Sequence, residues 1–84
     1  MLFYVFLAAL DADDRRCAEE IFDKYHKLIY ELAYRILNKH QDAEDTLNEV
    51  MINIIKNIEK FNQSSRNDIE AQLVIYTRNA AINL

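Results

Sequence analysis

Not one glycine or proline occurs in this chain of 84 residues. A β-rich fold of that length needs several tight turns at positive φ, and glycine usually supplies them. Helices joined by polar loops need neither residue, so an all-α fold is expected. The chain is long enough for one domain with a small core. A hydrophobic share of 51% is enough to fill that core.

The apolar spacing agrees. Ile21, Phe22, Tyr25, Leu28, Ile29, Leu32, Ala33, Ile36 and Leu37 recur at intervals of three and four, which is a helical stripe wide enough to face a core. The acidic turn Asp11 to Asp14 is suited to capping its start, and Asn38 to Gln41 interrupt it. A second stripe follows in Ala43, Leu47, Val50, Met51, Ile54, Ile55, Ile58 and Phe61, with Asp42 as the expected N-cap. A polar loop is expected over 62–67. A last helix starts at Asn67 or Asp68 and carries Ile69, Leu73, Tyr76, Ala80 and Leu84 along one side. The expected architecture is a small bundle of three principal helices plus an N-terminal element. That element, an arm of about residues 1–12, reads equally as helical or extended. No cap signal closes the last helix, so a fragment of a longer chain is expected.

The formal net charge of −4 is unevenly spread. Residues 1–49 hold six Lys or Arg against eleven Asp or Glu, a net of −5; residues 50–84 hold four against three, a net of +1. The first half suits a basic protein partner, and the second can approach nucleic acid. Met1 to Leu10 are strongly apolar but too short to span a bilayer, which takes about 20 residues. They also lack the basic start of a signal peptide.

Catalytic and metal chemistry find little support. His26 and His40 lie on opposite sides of a helix break, and Cys17 has no CxxC partner. Cys17 reads as a half-buried small side chain on a helix. There is no glycine-rich phosphate loop, nucleophile elbow or HExxH. No enzyme activity, cofactor, metal or small-molecule substrate is expected. Asp42, Asp45 and Glu49 are spaced three and four apart and share one helical face. By spacing alone they are either a solvated first turn complementing the helix dipole or an acidic patch for a partner rich in Arg.

Two motifs then stand in order. Tyr34-Arg35-Ile36-Leu37 precedes a short turn, Asp42-Ala43-Glu44-Asp45, Thr46-Leu47 and Asn48-Glu49-Val50. Later comes Tyr76-Thr77-Arg78-Asn79-Ala80-Ala81-Ile82-Asn83. Over roughly residues 18–84 this pattern resembles the first conserved domain, region 2, of bacterial RNA polymerase sigma factors of the extracytoplasmic-function type. The chain departs from that pattern at Asn48, where Gln is usual, at Gln72, where a large residue is common, and at Asn83, which replaces Asp. The 62–67 loop also lacks the usual glycine.

The resemblance implies a transcription initiation factor in the cytoplasm. Its acidic helix is expected to dock on the clamp helices of the polymerase β′ subunit through Asp42, Asp45, Asn48, Glu49 and Asn53. The end of that helix, the next loop and the last helix are expected to read the minus-ten promoter element. They would capture the non-template strand of promoter DNA with a base flipped from the stack. The residues implied by position are Asn57, Phe61, Arg78 and Asn79, supported by Lys56, Lys60, Arg66 and Tyr76. Phe61 also continues the apolar stripe, and a core role competes with base stacking there. An anti-sigma factor is a further partner the family implies. The second, helix-turn-helix domain of such factors is not contained in residues 1–84. Two other readings stay open: a sigma-like helical protein-interaction module without promoter opening, and a membrane-surface helix built on residues 1–10.

Overall fold

The computed structural model describes residues 2–83. They form five helices: α1 (Leu2–Ala8), α2 (Ala12–Leu37), α3 (His40–Lys56), α4 (Ile58–Asn62) and α5 (Arg66–Ile82). The fold is all-α, with α2, α3 and α5 as its three principal helices.

Helix α2 is the axis on which the others assemble. Asp11 caps it by accepting the backbone N–H of Asp14 at 2.9 Å, and Asp13 and Asp14 place charge beside the free amides of the first turn. Ala18, Ile21, Tyr25, Ile29 and Ala33 form its buried seam. The two alanines let neighbouring backbones come close. The seam is narrower than the apolar stripe, because Leu28 and Ile36 on its flanks are 45% and 40% exposed. Val50, Met51 and Ile54 of α3, Phe61 of α4 and Leu73 of α5 complete the core.

The N-terminal arm is helical. Phe3 and Leu7, one turn apart on α1, are buried, and Phe3 stacks on Phe22 of α2 with ring centroids 5.1 Å apart. The arm packs mainly along α3.

Three boundaries differ from the sequence-based expectation. Asp42 does not cap α3. Lys39 holds the cap position in extended backbone, the helix begins at His40, and Asp42 sits in the first turn. Asn38 in left-handed backbone, φ 56°, makes this early start possible: its N–H closes on the Tyr34 carbonyl at 2.8 Å. Asn tolerates that conformation better than most residues. His40 then bonds the Tyr30 hydroxyl through Nδ1 and meets Glu44 at 2.9 Å through Nε2.

The second stripe is not one helix, because it breaks at Asn57. The Asn57 side-chain amide donates to the Asn53 carbonyl at 2.8 Å, and its backbone leaves helical geometry at φ −117°, ψ 25°. Side chains of this kind compete with the helical backbone for its hydrogen bonds. The break turns both Ile58 and Phe61 of α4 into the core.

The following loop is only Gln63 to Ser65. Ser65 caps α5 by accepting the Asp68 N–H at 3.2 Å, so the helix starts before Asn67. Its deepest line is Leu73, Thr77 and Ala81. The expected Ile69, Tyr76 and Ala80 are half-buried beside it, and Leu84 lies outside the described residues. Thr77 is tolerated in the core because its hydroxyl donates to the Leu73 carbonyl at 2.7 Å.

Tyr25 ties α2 to α5. It is buried, and its hydroxyl donates to Glu70 at 2.9 Å. Burial, then the hydrogen bond to Glu70, push its pKa above the usual tyrosine range. The folded pKa therefore exceeds the unfolded one. The associated stability is fully present below the unfolded value and is lost as pH rises through the folded value.

Leu73→Ala is expected to cost about 2–5 kcal/mol and Ser65→Ala about 1 kcal/mol, read as shifts in urea unfolding midpoints. As pH rises above about 10, thermal unfolding of the parent should move downward, and Tyr25→Phe should flatten that dependence.

Candidate functional site

The residues expected to carry function come from three short segments: α3 from its first turn to its end, the α3–α4 break, and the second half of α5. Asp45, Glu49 and Asn53 recur every four residues along α3, and Asn57 continues that line into the break. Opposite them, Tyr76, Asn79, Ala80 and Asn83 stand on one side of α5. Together with Thr46 these residues line a single groove of about 520 Å³.

The groove is chemically divided. Its α3 end carries the carboxylates of Asp45 and Glu49, both on exposed residues. The Asp45 carboxylate accepts the Gln41 amide at 3.1 Å, an exposed contact that a partner can displace. Elsewhere the lining holds the amides of Asn53, Asn57, Asn79 and Asn83 and the Tyr76 ring, with Thr46 and Ala80 between them. Carboxylates accept from guanidinium groups, often in pairs of bonds. Amides both donate and accept, as a base edge requires.

Five of the thirteen expected site residues thus lie together with Asp45: Glu49, Asn53, Asn57, Tyr76 and Asn79. The others lie elsewhere. Asp42 is half-buried in the first turn and does not reach the groove. Asn48 points its carbonyl oxygen inward, where it is buried without a protein partner. Phe61 is 1% exposed and offers no free face to a base in this conformation; it meets Tyr76 edge-on, with centroids 5.6 Å apart. Its place is beneath the groove, supporting Tyr76. Lys56 and Lys60 line a different cleft beside Leu10 and Asp14. Arg66 lies against α2 with Cys17, Lys24 and Tyr25, and its Nε stands 3.6 Å from Glu70. Arg78 is exposed on α5 and makes no ion pair among the described residues.

Thr46 and Asn83 also line the groove, outside the thirteen. Thr46 is 1% exposed, and its hydroxyl finds no protein partner. Thr46 lies three residues before Glu49 and Asn83 four residues after Asn79, so helical spacing places both near the same face. Cys17 is half-buried. Burial, then the carboxylates of Glu20 and Asp14, push its thiol up, which disfavours thiolate chemistry.

Against this geometry, the comparison with known families is direct. The model of sigma-70 region 2 matches residues 21–84, which includes every residue of the groove. The chain belongs to the sigma-70 region 2 family. It is therefore a non-catalytic transcription initiation domain, with RNA polymerase and promoter DNA as the partners of its class. Comparison with curated proteins and with solved structures returned no match. Among the described residues, no helix is long and apolar enough to cross a membrane.

Thr46→Val removes a buried hydroxyl that lacks a protein partner while keeping the branched shape. It is expected to leave folding stability unchanged or to raise it by up to about 1 kcal/mol, measured by urea unfolding. A loss of more than that would show that the hydroxyl is bonded in solution.

Proposed function

We propose that this chain is region 2 of an extracytoplasmic-function sigma factor, acting in the cytoplasm. In this reading the carboxylate end of the groove, Asp45 and Glu49 with Asn53, docks on the β′ clamp helices of RNA polymerase. Asp42 and Asn48 flank the contact. The amide end, Asn57 and Asn79 with Tyr76, holds the non-template strand of the minus-ten element during melting. Lys56, Lys60, Arg66 and Arg78 supply phosphate contacts around it. The domain comprises residues 1–84, with α1 as an arm outside the region 2 body.

One observation carries the reading: acceptors for basic side chains and amides for a base edge share one groove between α3 and α5, inside the segment matched by the family. Charge divides the labour. Carboxylates repel phosphate and attract arginine, so the acidic end suits protein and the amide end suits nucleic acid. Base flipping costs a few kcal/mol, and stacking returns about 1–3 kcal/mol per base, so a strand can be held open at small net cost. An anti-sigma factor that covered this groove would block both partners at once.

The spread of the four basic residues favours a second reading. Lys56 and Lys60 sit at one cleft, Arg66 at another, and Arg78 alone on α5, so no concentrated basic face attracts free DNA. A sigma-like module that binds only protein fits that distribution.

Binding to the purified β′ clamp region separates these readings from one side. Asp45→Lys/Glu49→Lys is expected to weaken it at least a hundredfold, about 2.7 kcal/mol or more, with helicity unchanged. Asn79→Ala separates them from the other side. It should reduce promoter opening, read by permanganate reactivity of unpaired thymines, while clamp binding stays intact. Clamp binding that ignores the double charge reversal would overturn the docking face; unchanged opening in Asn79→Ala would favour the protein-only module.

A further inference from the structure

The family match begins at Ile21, so α1 and the turn after it lie outside the matched segment. Helix α1 buries Phe3 and Leu7 but leaves Tyr4, Val5 and Phe6 exposed. Phe6, 36% exposed, stands beside the end of α3 with the Lys56 Nζ 5.9 Å from its ring centroid. Next to this pair a cleft of about 430 Å³ separates Leu10 and Asp14 from the segment Lys56 to Lys60. Asn57 lines both this cleft and the groove between α3 and α5. The two surfaces therefore adjoin at one residue.

We infer that this edge of α1 extends the single-stranded DNA surface: Phe6 offers a ring face to one base, and Lys56 and Lys60 contact the adjoining phosphates. The inference rests on the DNA reading of the groove given above, since the strand reaches Phe6 by passing Asn57. Stacking on an aromatic face tolerates any base, and proteins that hold single strands combine it with cations along the backbone. Phe6 and Lys56 already form such a pair through a cation–π contact. When a strand arrives, Lys56 exchanges the ring for a phosphate, and the ring face is freed for the base.

Two carboxylates border the cleft, those of Asp14 and Glu59. Asp14 accepts the Asn62 side-chain amide at 3.1 Å and belongs to the contact between α2 and α4. Glu59 repels a strand, which lowers the affinity and, by offsetting one lysine, keeps the salt dependence shallow. With two lysines against two carboxylates, the cleft has no net positive charge to hold an anionic lipid surface, which responds to the sum of charges. A nucleic acid strand is held instead by discrete phosphate contacts and a stacked base.

The chain contains no tryptophan, so Phe6→Trp introduces a sole reporter at the site. Titration of the full chain at low salt with mixed-sequence single strands of about 12 nucleotides should quench the introduced indole. Phe6→Leu, which keeps apolar bulk without a π face, should weaken binding of the same strands about fivefold or more. Circular dichroism and thermal unfolding would establish that both variants keep the parent fold.

Asn79→Ala reports on the groove separately. If it weakens binding while Phe6→Leu matches the parent and the indole is not quenched, the inference falls and the groove reading stands. If the parent binds no strand, the DNA reading falls and this inference with it. Tighter binding by Phe6→Leu would make α1 a cover over Lys56 and overturn the inference. So would an indole that shifts to the blue with phosphatidylserine vesicles but ignores DNA.

Discussion

Everything in this domain is hung on the buried seam of α2. Ile21, Tyr25, Ile29 and Ala33 are at most 7% exposed, and α3, α4 and α5 all pack against that helix. Burying an aliphatic side chain contributes about 1.5–3 kcal/mol, so a seam of this size dominates the stability of so short a chain. The groove between α3 and α5 is a consequence. Two helices that each pack on a third meet along their inner edges and diverge at the surface, leaving a trough between them. Apart from the buried Thr46, the polar residues on the facing flanks then line it while staying exposed or half-buried. Packing thus decides where the trough lies, and the side chains decide what it can hold.

The fold was largely legible in the amino-acid sequence, because helical periodicity is a local property. The seams of α2 and α3 could be read from spacing, and the Asp11 cap from its chemistry. Misplaced features were those set by competition between a side chain and the backbone. Asn38 adopts a left-handed turn and starts α3 early, which displaces Asp42 from the cap. Asn57 bonds back to Asn53 and splits a continuous apolar stripe in two. Ser65 outcompetes Asn67 and Asp68 as a cap. Each is decided by one or two hydrogen bonds, to which a hydrophobic pattern is blind.

The candidate site was legible in part, for a related reason. Asp45, Glu49, Asn53, Tyr76 and Asn79 were expected from motif positions, and they line one groove. Which of the remaining residues would join them depended on the relative rotation of α3, α4 and α5. Phe61 fell inward because the break at Asn57 turns its face to the core. Lys56, the last residue of α3, and Lys60 on α4 line another cleft, beside Leu10 and Asp14. Arg66 went to the α2 side because α5 begins there, beside Tyr25 and Glu70. Thr46 and Asn83 were missed as lining residues because their chemistry is unremarkable, and only the groove itself distinguishes them.

Asn57 has a meaning for how contact maps of this surface should be read. It is at once the backbone joint between two helices, the donor that holds that joint, and part of the wall of both clefts. A substitution there would move the neighbouring lysines and the α4 side chains as well as delete an amide. Genetic or cross-linking data would then score Asn57 as a strong contact even if no partner touched it. Its apparent importance would report the angle of a hinge pin, and only variants on either side of it could tell that angle from recognition.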